Sequence, residues 1–147
     1  MNYWQIISAA AKAAKISAVL LYAVCSHESR NFELDYSIYD SGSPSYSVCQ
    51  IKKSTAVQMG WTGKNPMELR NPYIGIKYAA LYLAYQQNRY GNNWVKQAAS
   101  YNAGSYLEGL NGCPKNMKYV RLVQQKLPKN TRYKLSCGRE QKAVQSP

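Results

Sequence analysis

The chain has 147 residues, enough for one domain with a buried core, and carries a net charge of +12 from 19 Lys and Arg against 7 Asp and Glu. A hydrophobic content of 46% with a mean hydropathy of −0.49 fits a soluble globular protein, and the longest mainly apolar stretch, residues 16–25, is too short for a transmembrane segment. The pI of about 9.6 points to a polyanionic partner, either nucleic acid or an anionic cell wall or outer-membrane surface. There is no helix-turn-helix pattern, RNP-like strand or zinc-finger spacing, which excludes specific nucleic-acid reading.

In chain order, residues 3–14 are rich in Ala and Lys and form a first predicted helix. Residues 16–30 form a second and more apolar one, with Ser17 as the N-cap that separates the two. This segment resembles a signal-peptide core because Lys12 and Lys15 precede it, but no small-residue cleavage site follows. The expectation is export by a route other than a cleaved signal, or a signal outside this sequence. Residues 31–47 carry Asp, Gly, Ser and Pro and are expected to be a loop with short extended pieces. A short helix over 53–59 is ended by Gly60, and Asn65-Pro66 starts another turn. Residues 71–89 are the longest predicted helix, with Ile74, Tyr78, Leu81 and Tyr85 at helical spacing and Gly91 beyond its end. A helix over 93–101 closes at Asn102-Ala103-Gly104. The last, over 115–126, carries an apolar stripe of Met117, Val120, Leu122 and Val123 and stops before Pro128. Residues 140–147 read as a disordered tail after a domain spanning 1–139. The class is mainly α.

Four cysteines (Cys25, Cys49, Cys113, Cys137) form no CxxC pair, and with His27 the single histidine no metal site is expected. Cys25, on an apolar helix, is expected to be a core thiol. Cys113 and Cys137 both neighbour turn residues, and the spacing leaves open whether they join as a disulfide.

Among the seven acids, Glu28 stands out because it follows ten residues of mostly apolar side chains. Burial disfavours the ionised form of a carboxyl group and raises its pKa. A carboxylic acid that keeps its proton near neutral pH is what general-acid catalysis requires. Two more segments place polar groups at the edge of apolar elements. Gln50 sits among Val48, Cys49 and Ile51 in the run 43–52, and Tyr101 and Asn102 sit in the run 98–104. The 14 tyrosines against one phenylalanine supply apolar faces that keep a hydroxyl, a combination suited to sugar clefts.

Together the segments Glu28-Ser29, Ser47-Val48-Cys49-Gln50-Ile51, Asn71…Gly75…Tyr82-Leu83 and Ser100-Tyr101-Asn102-Ala103-Gly104 resemble the lysozyme-like lytic transglycosylases, the SLT domain related to goose-type lysozyme. The resemblance covers about residues 16–106, with the motifs in order at suitable spacing. It departs from the family pattern at Ser47, where glycine is usual, and at Cys49, where Met is commoner. The form of residues 42–52 is similar to a subgroup of bacteriophage virions and specialised secretion systems. The resemblance implies a lysozyme-like single domain that cleaves the β-1,4 bond between N-acetylmuramic acid (MurNAc) and N-acetylglucosamine (GlcNAc) in peptidoglycan glycan strands. Glu28 would be the one catalytic acid and base, and no metal or cofactor would be needed. Ser37, Gln50, Tyr82, Tyr101 and Asn102 would bind substrate, with Ser37 aligned to a family serine that hydrogen-bonds the acid. The site of action would be the periplasm or cell wall, with virion or secretion-system proteins as possible partners.

Two alternatives stay open. Asp40, the only other acid in a loop bordering the expected cleft, would make the protein a goose-type hydrolase if it held a water opposite Glu28. A non-catalytic wall-anchoring module would not require Glu28, Gln50, Tyr101 and Asn102. His27 points about 100° away from Glu28 around the helix and is expected to be structural.

Overall fold

Helix α2 (Ala18–Glu28) is apolar around almost its whole circumference and forms the centre of the molecule, with Ala18, Val19, Leu20, Leu21, Ala23, Val24, Cys25 and Ser26 all buried. A helix without a polar stripe is stable only when neighbours cover every side. Burying a Leu or Val side chain fully contributes roughly 1.5–3 kcal/mol, so Leu20, Leu21 and Val24 anchor the core. Ser17 caps this helix as expected, its Oγ accepting from the Leu20 amide at 3.1 Å. The computed structural model describes residues 1–39 and 42–129. Asp40, Cys137 and the 140–147 tail, and with them the water-holding, disulfide and disorder expectations, lie outside the described residues.

The other helices form the cover. Helix α1 (Tyr3–Ala14) lies against α2 and against α4 (Pro72–Tyr90), the longest element at 19 residues. Asn71 caps α4, its side chain accepting from the Tyr73 amide at 2.9 Å, Pro72 opens the first turn, and Gly91 at φ 83° closes the last. Helix α5 (Trp94–Ala103) packs on α4, and α6 (Met117–Gln124) packs on α5 and α2 through buried Val120 and Val123. The arrangement is mainly helical, as the sequence predicts.

The short extended pieces expected within the 31–47 loop are paired strands, which form most of a three-stranded antiparallel sheet of β1 (Tyr36–Tyr39), β2 (Ser43–Tyr46) and β3 (Ile51–Lys52). Alternation sorts its side chains. Tyr36, Tyr46 and Ile51 face a second apolar cluster that includes Ala56 of α3 (Lys53–Gln58), Trp61 and Leu69. Ser37 pairs with Ser45, and Ser45 with Lys52, on the opposite face. Ser, Gly and Pro hide these strands from a propensity reading, because their pairing depends on tertiary burial of one face.

Between β2 and β3 the chain makes a tight turn at residues 47–50. Ser47 (φ 66°) and Gln50 (φ 54°) are both left-handed, so serine does occupy a backbone position that favours glycine. Here the glycine is needed across the contact instead. A Cβ on Gly75 of α4 would lie 2.3 Å from the Leu69 carbonyl oxygen and 2.4 Å from Ser47 Cβ, so only Gly75 lets α4 approach the turn. The turn also corrects the expectation of a free core thiol. Cys25 is disulfide-bonded to Cys49, with Cα atoms 4.1 Å apart, because the turn lies directly on the last turns of α2. Both cysteines are buried, so the apolar setting was expected and the partner was not.

Candidate active site

Glu28 is the last residue of α2, where the central helix emerges from the core. The chain reverses immediately after it through Arg30, Asn31 and Phe32, three consecutive left-handed residues at φ 52°, 59° and 68°. Strained backbone of this kind persists only where its surroundings fix it. Buried Ser29 supplies that fixation, its Oγ donating to the Cys25 carbonyl at 2.7 Å and accepting from the Phe32 amide at 2.7 Å. Asn31 is fixed in turn by Ser26 Oγ and Lys126 Nζ, both donating to its Oδ1.

The acid opens into a cleft of about 410 Å³ lined on one side by Ser43, Ser45, Gln50, Ile51, Lys52 and Thr55 and on the other by Tyr82, Tyr101, Asn102, Ala103 and Gly104. Burial pushes the Glu28 carboxyl up to about 7, against the opposing pull of a hydrogen bond from Tyr119 Oη to its Oε2 at 2.7 Å. Its place at the carbonyl end of α2 acts in the same direction as burial, since that end disfavours an anion. A carboxyl poised near 7 can give up and take back a proton at neutral pH. Among the described residues that line the cleft, Glu28 is the only carboxyl.

The expected site residues come together, with a partner other than the expected one for Ser37. Gln50 lines the cleft, its Nε2 donating to the Ser47 carbonyl at 2.9 Å and its Oε1 accepting from Ser37 Oγ. The Ser37 hydroxyl therefore orients the amide and not the acid. The hydroxyl on Glu28 belongs to Tyr119, while Tyr82 stands in the opposite wall with its ring 5.4 Å from that of Tyr101. Tyr101 is buried and donates to the Cys49 carbonyl at 2.7 Å, which ties α5 to the turn that carries Gln50. Burial, with Glu28 nearby, holds the Tyr101 hydroxyl well above its usual range, so it stays a donor. Asn102 faces the cleft and accepts from Asn116 Nδ2 at 3.0 Å. From α4, the buried Gln86 and the exposed Arg89 both donate to the Gly104 carbonyl, at 3.0 and 2.8 Å, and fix the end of that wall.

His27 lies edge-on to the Tyr119 ring at 5.2 Å, and burial followed by Lys126 lowers its pKa. It is a neutral packing partner of the tyrosine that holds Glu28. Tyr119 itself escaped the sequence reading. It sits on the flank of the α6 apolar stripe, 91 residues from Glu28, and its one signal was a hydroxyl-bearing aromatic beside that stripe. Ser43, Ser45, Lys52 and Thr55 were also unassigned, because their role depends on the sheet.

A fold of this kind, with one half-buried acid over a polar cleft, defines a lysozyme-like transglycosylase domain. The chain belongs to the transglycosylase SLT domain family, whose model matches residues 5–108. Its structure is similar to that of lytic transglycosylase Slt from Pseudomonas aeruginosa, solved as an inactive mutant with glutamine in place of a glutamate, at a TM-score of 0.61 and 18% identity. The likeness covers 90% of this chain and 22% of that one, so the chain spans under a quarter of that protein's length. No curated protein sequence matches the chain. No described helix is long and apolar enough to cross a membrane.

Proposed function

We propose that this protein is a peptidoglycan lytic transglycosylase that cleaves the MurNAc-GlcNAc β-1,4 bond with Glu28 as its single general acid and base. The carrying observation is the Glu28 carboxyl, poised near 7 in a cleft whose described lining holds no second carboxyl. In the first step Glu28 protonates the glycosidic oxygen as the bond to C1 breaks, and the sugar's own acetamido oxygen supports the cationic centre. The ionised Glu28 then takes the proton of the C6 hydroxyl as O6 bonds to C1, which closes a 1,6-anhydro ring and consumes no water. The Tyr119 hydrogen bond steadies the carboxylate between the two transfers, and the proton from the C6 hydroxyl returns Glu28 to its starting state. Gln50, Tyr82, Tyr101 and Asn102 form the binding walls, and Ser37 acts through Gln50.

The biological setting we infer is local opening of the cell wall by a phage particle or a secretion machine. Its support is the Gly42-Ser43-Pro44-Ser45-Tyr46 to Cys49-Gln50-Ile51-Lys52 sequence together with the net charge of +12, which favours an anionic wall.

The test is mass spectrometry of muropeptides released from purified peptidoglycan by wild type and Glu28→Gln. Anhydro products, lighter by one water than hydrolysis products and absent with Glu28→Gln, are expected. Full-mass products would replace the mechanism with hydrolysis, and no release by wild type would overturn the enzyme reading.

A further inference from the structure

The sheet contributes one wall of the cleft, and its alternation gives that wall a definite chemistry. Ser45 is flanked in register by Ser37 and Lys52, and Ser43 lies two residues along β2 on the same face. Directly paired residues in an antiparallel sheet project on one side with Cβ atoms roughly 5 Å apart. Ser43, Ser45 and Lys52 all line the cleft, whereas Tyr36 and Tyr46 occupy the buried face, and Ile51 joins that apolar cluster while reaching the cleft edge. The wall is therefore a row of hydroxyls ending in one ammonium group.

Lys52 is exposed and is the only cationic side chain among the described lining residues. The one salt bridge among the described residues joins Arg70 to Asp35, so Lys52 has no carboxylate partner there. The hydroxyls of the wall suit neutral sugar groups, while an ammonium gains most from an anion. On a peptidoglycan strand the anions hang from one place, the lactyl ether of MurNAc, which carries either its own carboxylate or a stem peptide with carboxylates further out.

We propose that Lys52 is a specificity-determining residue that pairs with a carboxylate on the lactyl arm of a glycan strand lying across the cleft. The proposal rests on the peptidoglycan reading of the site. It gives the cleft a polarity, since the arm leaves the sugar on one side and must lie toward the β3 wall.

Binding to soluble glycan strands, measured in the Glu28→Gln background so that no turnover intervenes, tests it. Lys52→Met is expected to weaken binding to peptide-bearing strands about three- to fivefold at low ionic strength, the size of a partly exposed ion pair. Lys52→Arg should retain most of the affinity, and about 1 M salt should erase the difference. Strands whose carboxyls are blocked by coupling to methylamine should bind both proteins alike. An amidase strips the peptide and frees the lactyl carboxylate, so a persisting difference shows that Lys52 takes whichever carboxylate the arm carries, and a vanished one assigns the stem peptide. Equal binding of Lys52→Met to peptide-bearing strands, or a difference that survives blocking, would overturn the proposal. A Lys52 dependence of binding in a protein whose wild type releases no muropeptide would instead sink the transglycosylase chemistry and leave the recognition standing.

Discussion

Glu28 imposes a cost on the fold that its chemistry requires. A carboxyl whose folded pKa is about 7 against an ordinary 4.5 binds its proton more tightly in the native state. Its stabilising contribution is complete below about 4.5 and is lost as pH rises through about 7. Glu28→Gln keeps the shape, retains an acceptor for Tyr119 and never ionises. It should abolish cleavage and yet unfold later than wild type at about pH 8, by roughly 1–3 kcal/mol, with the gap closing toward about pH 5. Denaturant melts at the two pH values check this, and equal stability at both would show that the carboxyl is better solvated than the structure places it. The Tyr119 hydrogen bond favours the ionised form, so its loss must raise the acid further. Tyr119→Phe should move the basic limb of the kcat/KM profile to higher pH while lowering the rate at its plateau. An unmoved limb would separate Tyr119 from the titration of Glu28.

At the scale of elements, the site exists because three contacts hold α2, the 47–50 turn and α5 in one place. The disulfide joins α2 to the turn, the Tyr101 hydroxyl joins the turn to α5, and Gly75 lets α4 press on Ser47. Cys25 and Cys49 are separated by 24 residues, and cross-linking a loop of that size restricts the unfolded chain by about 3 kcal/mol. The Cys25→Ala, Cys49→Ala double variant should lose about that much stability in denaturant titrations. Because both sulfurs are buried, a mild reductant should act on the wild type only as fast as the fold opens. Gly75→Ala forces a Cβ against backbone and should cost about 1–3 kcal/mol. Activity should fall further than that loss explains, since the displaced turn carries Gln50; thermal melts set beside kcat at a temperature well below unfolding separate the two. These contacts mark the limit of the sequence reading. The helix ends marked by Ser17 and Gly91 were legible because caps act locally. The sheet, the Cys25–Cys49 bond and the Tyr119 contact were not, because each is set by residues far apart in the chain that meet only after the core forms. Gln50, Tyr101 and Asn102 were legible as polar groups at apolar edges, although their hydrogen-bond partners were not.

Across the whole molecule, the charge of +12 acts at a longer range than Lys52 does. From residue 109 to 139 the chain contains no acid, and along α6 and its flanks Lys115, Lys118 and Arg121 are all exposed, on the helix that also supplies Tyr119 to Glu28. Such a field concentrates an anionic polymer around the protein without fixing where it binds. The screening length falls from about 30 Å at 0.01 M salt to about 8 Å at 0.15 M, so most of this attraction disappears over that range. The rate on insoluble cell wall at low substrate should therefore fall several-fold between those two salt concentrations, through KM. Lys52→Met should show nearly the same salt slope, displaced to higher KM, because it removes one charge of the net +12. A triple variant with Lys115, Lys118 and Arg121 changed to Gln should flatten the slope while leaving the discrimination between blocked and unblocked strands unchanged. If that variant lost the discrimination and Lys52→Met did not, the carboxylate would be read at the α6 edge and the strand would lie across the cleft the other way round.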